Sequence, residues 1–320
     1  MEDLSLAVKA RATRESGRIH IGKRFWAQRY LMILTLPAVV WLIIFHYVPM
    51  YGIIIAFEEY NPVQGFTFSP WVGLDNFKEL FIDPSFMDSV LNTLKISLLK
   101  LLFGFPAPIL LAIMLNELRA QRLKKVVQSL SYLPYFISWV FVVGFMYTLL
   151  DPRTGALSGL LQWLGFISSE QLLMGDPKTF TTLVVISEVW KNIGWNSIIF
   201  LAAIASIDPQ LYEAATVDGA GRFRKIWHVT LPAIKPTVVI LLILNVGGLM
   251  NANFDQLFLM KNSMTQDQAN VLSIYSYEMG LVLGRFSYGT AVGLFQSVVA
   301  FLLMLGANYS SRKITNESVF

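Results

Sequence analysis

The sequence predicts an all-α integral membrane protein with six transmembrane helices, and three observations carry that prediction. Of its 320 residues, 55% are hydrophobic and 14% charged, with a mean hydropathy of +0.55, whereas soluble chains average about 25% charged residues. Six stretches, 31–57, 90–116, 126–150, 180–206, 237–259 and 288–309, are long and apolar enough to cross a bilayer, which takes about 20 residues of helix. No other open structure satisfies its own backbone in hydrocarbon. Finally, Lys and Arg are placed unevenly: seventeen lie in residues 1–29, 117–125, 207–236 and the C-terminus, against five (Lys78, Arg153, Lys178, Lys261, Arg285) in the alternate connections. The positive-inside rule then puts both termini in the cytoplasm of a multi-pass protein. The expected organisation is a basic cytoplasmic tail over 1–29, a six-helix domain over 30–311 and a cytoplasmic C-terminus over 312–320.

Composition also narrows function. Without cysteine there are neither disulfides nor thiolate metal sites, and His20, His46 and His228 are too scattered to form a ligand cluster. The net charge of +4 and pI near 9.1 could suit nucleic acid, but the basic residues lie where membrane topology places them, so no nucleic-acid partner is expected. No catalytic residues and no metal are expected. No Gly-x4-Gly-Lys-Ser/Thr phosphate loop occurs, so any ATP is used on another chain.

The tail carries Lys9, Arg11, Arg14, Arg18, Lys23, Arg24 and Arg29 before a long uncharged run, which fits a retained first span rather than a cleaved signal peptide. Residues 58–88 hold the turn signals Asn61-Pro62, Gly65 and Asp83-Pro84. On the second span, Lys95 can snorkel from the external end, whereas the deeper Lys100 demands a partner or a cavity. The connection 151–179 contains an amphipathic run, residues 157–164, read as an interfacial helix with Trp163 at headgroup depth. Pro37, Pro49, Pro106, Pro108 and Pro134 lie in or at the ends of spans, where each can bend a helix.

Ionisable and amide side chains inside spans are costly unless they face protein or water, and so mark candidate sites. Glu188, Lys191 and Trp195, with Asn192 and Asn196, form a polar stripe on the fourth span, pairing an aromatic face with hydrogen-bonding groups as a sugar ring requires. This reading lines a translocation path with Glu188, Lys191, Asn192 and Trp195. The alternative is a structural Glu188–Lys191 ion pair with Trp195 against lipid. The fifth span adds Asn245, Gly248 and Asn251, with Asn253 and Asp255 beyond; spacing alone does not put them on one face.

Between these spans lies a polar island, residues 206–232. Asp208-Pro209 is a strong helix start, Gly219 supplies the left-handed residue that ends that helix, and a second short helix is expected to close at Pro232. The resulting knob carries Arg222, Arg224, Lys225 and Lys235 and is shaped to dock a partner.

Glu213-Ala214-Ala215, then Gly219, Val229 and Leu231-Pro232, resembles the EAA loop of the membrane-spanning subunits of binding-protein-dependent ABC importers, with valine in place of isoleucine at 229. Residues 73–77, 131–138 and 289–296 are similar to the same family, whose di- and oligosaccharide permeases are nearest. The resemblance implies a type I importer permease fold with the EAA coupling loop at 207–236. It implies an ATPase contact through Glu213, Ala214, Ala215, Asp218, Gly219, Leu231 and Pro232. The implied partners are two ATPase subunits holding ATP and Mg, an external solute-binding protein delivering a carbohydrate, and a second related permease clasped by the first span, in the inner membrane of a bacterium. A heterodimer is favoured over a homodimer, and the substrate is open between neutral and acidic oligosaccharides, including the alginate type. An ATP-independent six-helix secondary transporter is the competing reading; it leaves the knob unexplained, and no inverted repeat is visible.

Overall fold

A computed structural model of the chain describes residues 28–168 and 170–315. The segments expected over 1–29 and 312–320 therefore fall largely outside the described residues. Among those described, the structure is helical, with one isolated antiparallel bridge between Glu58 and Trp71. It divides into two compact units after Ile54.

The first unit holds most of one apolar span, Arg29–Phe57. Helix α1, Arg29–Leu42, runs on through a wide π turn at Ile43–Tyr47. No residue of α1 is buried, and Leu34 is 75% exposed. A helix that is apolar on every side belongs against lipid or another chain.

In the second unit, α2 spans Asp75–Ile82, α3 Pro84–Gly104, α4 Pro106–Glu117, α5 Gln121–Tyr132, α6 Trp139–Leu149 and α7 Ala156–Trp163. These are followed by α8 Pro177–Ala205, α9 Pro209–Val217, α10 Arg222–Gly247, α11 Phe254–Met260, α12 Leu272–Tyr277 and α13 Phe286–Thr315. Three Asp-Pro pairs start helices in the same way: the carboxylates of Asp83, Asp176 and Asp208 accept the amides of Ser85, Lys178 and Gln210, each at 2.9 Å, with proline at the first helical position.

Among the described residues, four helices are long and apolar enough to span a membrane, and six if two bent pairs are each one span. Three expectations about the bounds of the spans change. The second span begins at Pro84 rather than near residue 90, because Asp83-Pro84 is a helix cap and not merely a turn. The third bends by 101° between Phe136 and Trp139, because Pro134 lacks an amide and Ile137 and Ser138 are extended, which stops the ladder. The fifth ends at Gly247, and residues 248–253 are irregular before α11, with Asn253 at φ 64°.

Pro232 does not close a short helix; α10 passes through it. The π turn at Ile226–Thr230 brings the Leu231 amide to the Ile226 carbonyl, so the wide turn and the missing proline amide fall together in one interruption. The first span repeats the arrangement, with the Val48 amide on Ile43 just before Pro49.

Helix α8 is the hub, packing against α4, α3, α5 and α10. Phe180 and Val184 enter one buried cluster, and Phe200 and Ile204 another with Ala112 and Ile234. Lipid is as apolar as these side chains, so close packing and polar bonds decide the association. Gly194 shows how close: a Cβ there would lie 1.9 Å from the Ser131 carbonyl oxygen, and α5 rests on bare α8 backbone.

Candidate functional site

A cavity of about 350 Å³ opens between α3, α8 and the end of α10, within the range of small-molecule clefts, roughly 300–1,000 Å³. Its polar lining comprises Ser97 and Lys100 of α3, Glu188, Asn192 and Asn196 of α8, and Asn245, Gly248 and Asn251 at the broken end of α10. Lys100 donates to Gln256 Oε1 at 2.7 Å and the Ala252 carbonyl at 3.1 Å, and meets Glu188 Oε2 at 3.4 Å. Glu188 also accepts from Asn192 at 2.8 Å and Asn253 at 3.2 Å. Gln256 is fully buried and donates onward to the Val184 carbonyl and Ser187 Oγ. The irregular segment is thus tied to α3 and α8 by a satisfied polar network, which a low dielectric makes both strong and costly to disturb.

The α8 stripe is split. Glu188, Asn192 and Asn196 face the cavity, whereas Lys191 and Trp195 point to the elbow between α5 and α6. Lys191 is 6% exposed and donates to the carbonyls of Pro134 (3.1 Å), Tyr135 (2.8 Å) and Ile137. Trp195 stacks on Tyr135 with ring centroids 4.5 Å apart and planes 4° apart. Neither lines the cavity, so the structure does not bring them together with Glu188 and Asn192 as the stripe expected. A Glu188–Lys191 ion pair does not form either, since a bend in another helix supplies the acceptors that Lys191 needs.

The knob keeps its predicted start and turn. Gly219 adopts φ 73°, its amide bonds the Thr216 carbonyl at 3.0 Å, and the Ala220 amide bonds the Ala215 carbonyl at 2.8 Å, a Schellman stop that favours glycine. Lys225 reaches back to Thr216 Oγ1 at 2.7 Å, and Tyr212 OH meets Thr230 Oγ1 at 2.9 Å, bracing the two arms. Arg222 holds the carboxylate and carbonyl of Glu117 at 2.9 and 3.0 Å. Glu213, Ala214, Asp218 and Gly219 are exposed and Ala215 is half-buried, while Leu231 and Pro232 lie inside α10.

A family model described as binding-protein-dependent transport system inner membrane component matches residues 104–316. The chain belongs to this family. It is a permease subunit, and not itself an enzyme. Among the relatives of this permease, Protein LplB of Bacillus subtilis (strain 168) is 44% identical over 293 residues, 91% of each chain. The polygalacturonan/rhamnogalacturonan transport system permease protein YteP of the same organism is 43% identical, covering 92% of this chain and 91% of the relative. A crystal structure of a bacterial alginate ABC transporter, in complex with an alginate pentasaccharide-bound periplasmic protein, has a chain with 40% identity and a TM-score of 0.85. The match covers 93% of this permease and 99% of that chain.

Ser97 and Gln256 of the permease were not singled out by the sequence, whereas Asn253 was named without a partner. Their signal is Lys100, which demands a partner, but Gln256 lies 156 residues away.

Proposed function

We propose that this permease forms half of the translocation path of an ATP-driven importer for oligosaccharides. The cavity supports this reading best: inside a bundle of apolar helices, four asparagine amides and a serine hydroxyl gather where a span is interrupted. Amides both donate and accept, which suits hydroxyl-rich rings. The alginate and polygalacturonan transporters to which the chain is similar carry glycans, which agrees. The other half of the path is a second, related permease; an external solute-binding protein delivers the glycan; and both termini face the cytoplasm of the bacterial inner membrane.

Two ATPase subunits, which hold ATP and Mg, dock on the coupling loop at 207–236. The Glu213 carboxylate makes no bond within the described chain, and Val217 and Phe223 are each 89% exposed, leaving a charged and apolar surface ready for a partner. Gly219 fixes the angle between the arms, and because nothing lies within 4 Å of the Cβ it would gain, a substitution there acts through the backbone alone. The test is uptake and ATPase activity together in the reconstituted complex. Glu213→Ala is expected to weaken ATPase attachment, and Gly219→Val, costing about 1–2 kcal/mol in the left-handed conformation, to uncouple hydrolysis from uptake of labelled oligosaccharides. Normal uptake in both variants would refute the docking role.

A further inference from the structure

We infer that this chain's part of the cavity reads glycan hydroxyls and is blind to uronate carboxylates, because its single ion pair is satisfied from within; the inference rests on the oligosaccharide reading above. An ammonium has three protons. Those of Lys100 face three acceptors, Gln256 Oε1, the Ala252 carbonyl and Glu188 Oε2, so the ammonium has no proton left for a substrate carboxylate. Glu188, the other charge on the cavity wall, cancels that of Lys100 at 3.4 Å and would repel an acidic sugar that came close. Lys191, the remaining cation of α8 at this depth, faces away with its protons on three elbow carbonyls.

What is left free on the wall is neutral and of both hydrogen-bonding senses. Asn192 and Asn245 each use one N–H on Glu188 and the Leu241 carbonyl, leaving an amide oxygen and a second N–H. Asn251 uses its oxygen on the Asn253 amide at 3.4 Å, leaving its NH2 as a donor. Asn196 makes no side-chain bond among the described residues. The Ser97 hydroxyl is buried without a partner, an unmet demand that a hydroxyl-bearing ligand can answer. A sugar hydroxyl donates and accepts and can meet every one of these groups; a carboxylate only accepts. Acid recognition in an importer built on this chain must therefore come from the second permease or the binding protein.

The test uses the purified permease–ATPase complex in nanodiscs, without binding protein, and ligand-observed NMR titration. The probes are tetragalacturonate and tetramannuronate, each beside its carboxyl-reduced counterpart. The readout is the ratio of dissociation constants within each pair, which cancels the contribution of the second permease when variants of this chain are compared. Glu188→Gln uncovers the Lys100 charge and should shift the ratio toward the uronate by about tenfold, and Lys100→Gln should shift it the other way by about as much. The double variant K100Q/E188Q restores neutrality with similar shapes and should keep the wild-type ratio within about threefold. If the double variant loses uronate binding as Lys100→Gln does, Lys100 was contacting the carboxylate and the inference is overturned. If no probe of either pair binds the wild-type complex, the oligosaccharide reading itself fails and takes this inference with it. Should Glu188→Gln not fold, the double variant alone decides.

Discussion

Replacing Lys191 with methionine separates a structural ammonium from a substrate-binding one. Methionine keeps the length of the side chain and removes the three donors that hold the carbonyls of Pro134, Tyr135 and Ile137. Pro134 retains the bond from the Ile137 amide at 3.2 Å, so the loss falls on Tyr135 and Ile137. Each buried carbonyl left without a partner costs about 1–3 kcal/mol. Two such groups, offset by no longer having to desolvate an ammonium, give a net destabilisation of about 2–4 kcal/mol. The cation also sits 5.5 Å from the Trp139 ring and 5.8 Å from that of Tyr135, and those attractions are lost as well. The assay pairs thermal unfolding of the purified permease in detergent with the concentration dependence of oligosaccharide uptake in reconstituted complexes. A clearly lower unfolding midpoint, with half-saturation of uptake unchanged in the folded fraction, is expected. Unchanged stability together with altered half-saturation would refute the elbow assignment and return Lys191 to the path.

Three further predictions follow from the geometry. Gly194→Ala puts a methyl group 1.9 Å from a backbone oxygen and should cost more than the roughly 1–3 kcal/mol of ordinary overpacking; an unchanged unfolding midpoint would show that α5 and α8 are not in such close contact. Burial by itself pushes the Asp83 carboxyl up, but hydrogen bonds from the Tyr275 hydroxyl, the Ser85 amide and the Tyr288 hydroxyl outweigh it and hold the group below the ordinary carboxylate range. Stabilisation by a depressed carboxyl is present above its unfolded value, about 3.9, and lost as pH falls through the folded one. Asp83→Asn should therefore destabilise the protein at pH 7, and the gap to wild type should narrow only below about pH 4; a gap constant down to pH 3 would contradict this. A single cysteine at Ala220 should react with an impermeant maleimide only after the inner face is opened, and labelling of intact cells would reverse the proposed topology.

Local features were legible in the sequence and distant ones were not. Asp208, Pro209 and Gly219 act on neighbours within a few residues, so their chemistry alone set the start and turn of the knob. Lys100 announced a need that is met by groups 88, 152 and 156 positions away. Lys191 departs from the stripe because helical spacing assumes a straight neighbour, and the bend at Ile137 creates acceptors that no periodicity displays. Pro232 misled in the opposite direction: a proline ordinarily ends a helix, but the preceding π turn absorbs it. The apolar run through 237–259 concealed a break because Gly247, Gly248 and the amides after them still leave the average hydropathy high.

The division of α8 into two faces affects how such permeases can diverge. The face bearing Glu188, Asn192 and Asn196 meets cavity space, whereas on the other face Lys191 and Gly194 are locked against neighbouring backbone and Ser197 is fully buried. If the cavity holds the cargo, as proposed above, selection for a new one can rewrite one side of the helix while the other preserves assembly. Specificity and folding are inherited along the same 29 residues yet are free to drift at different speeds.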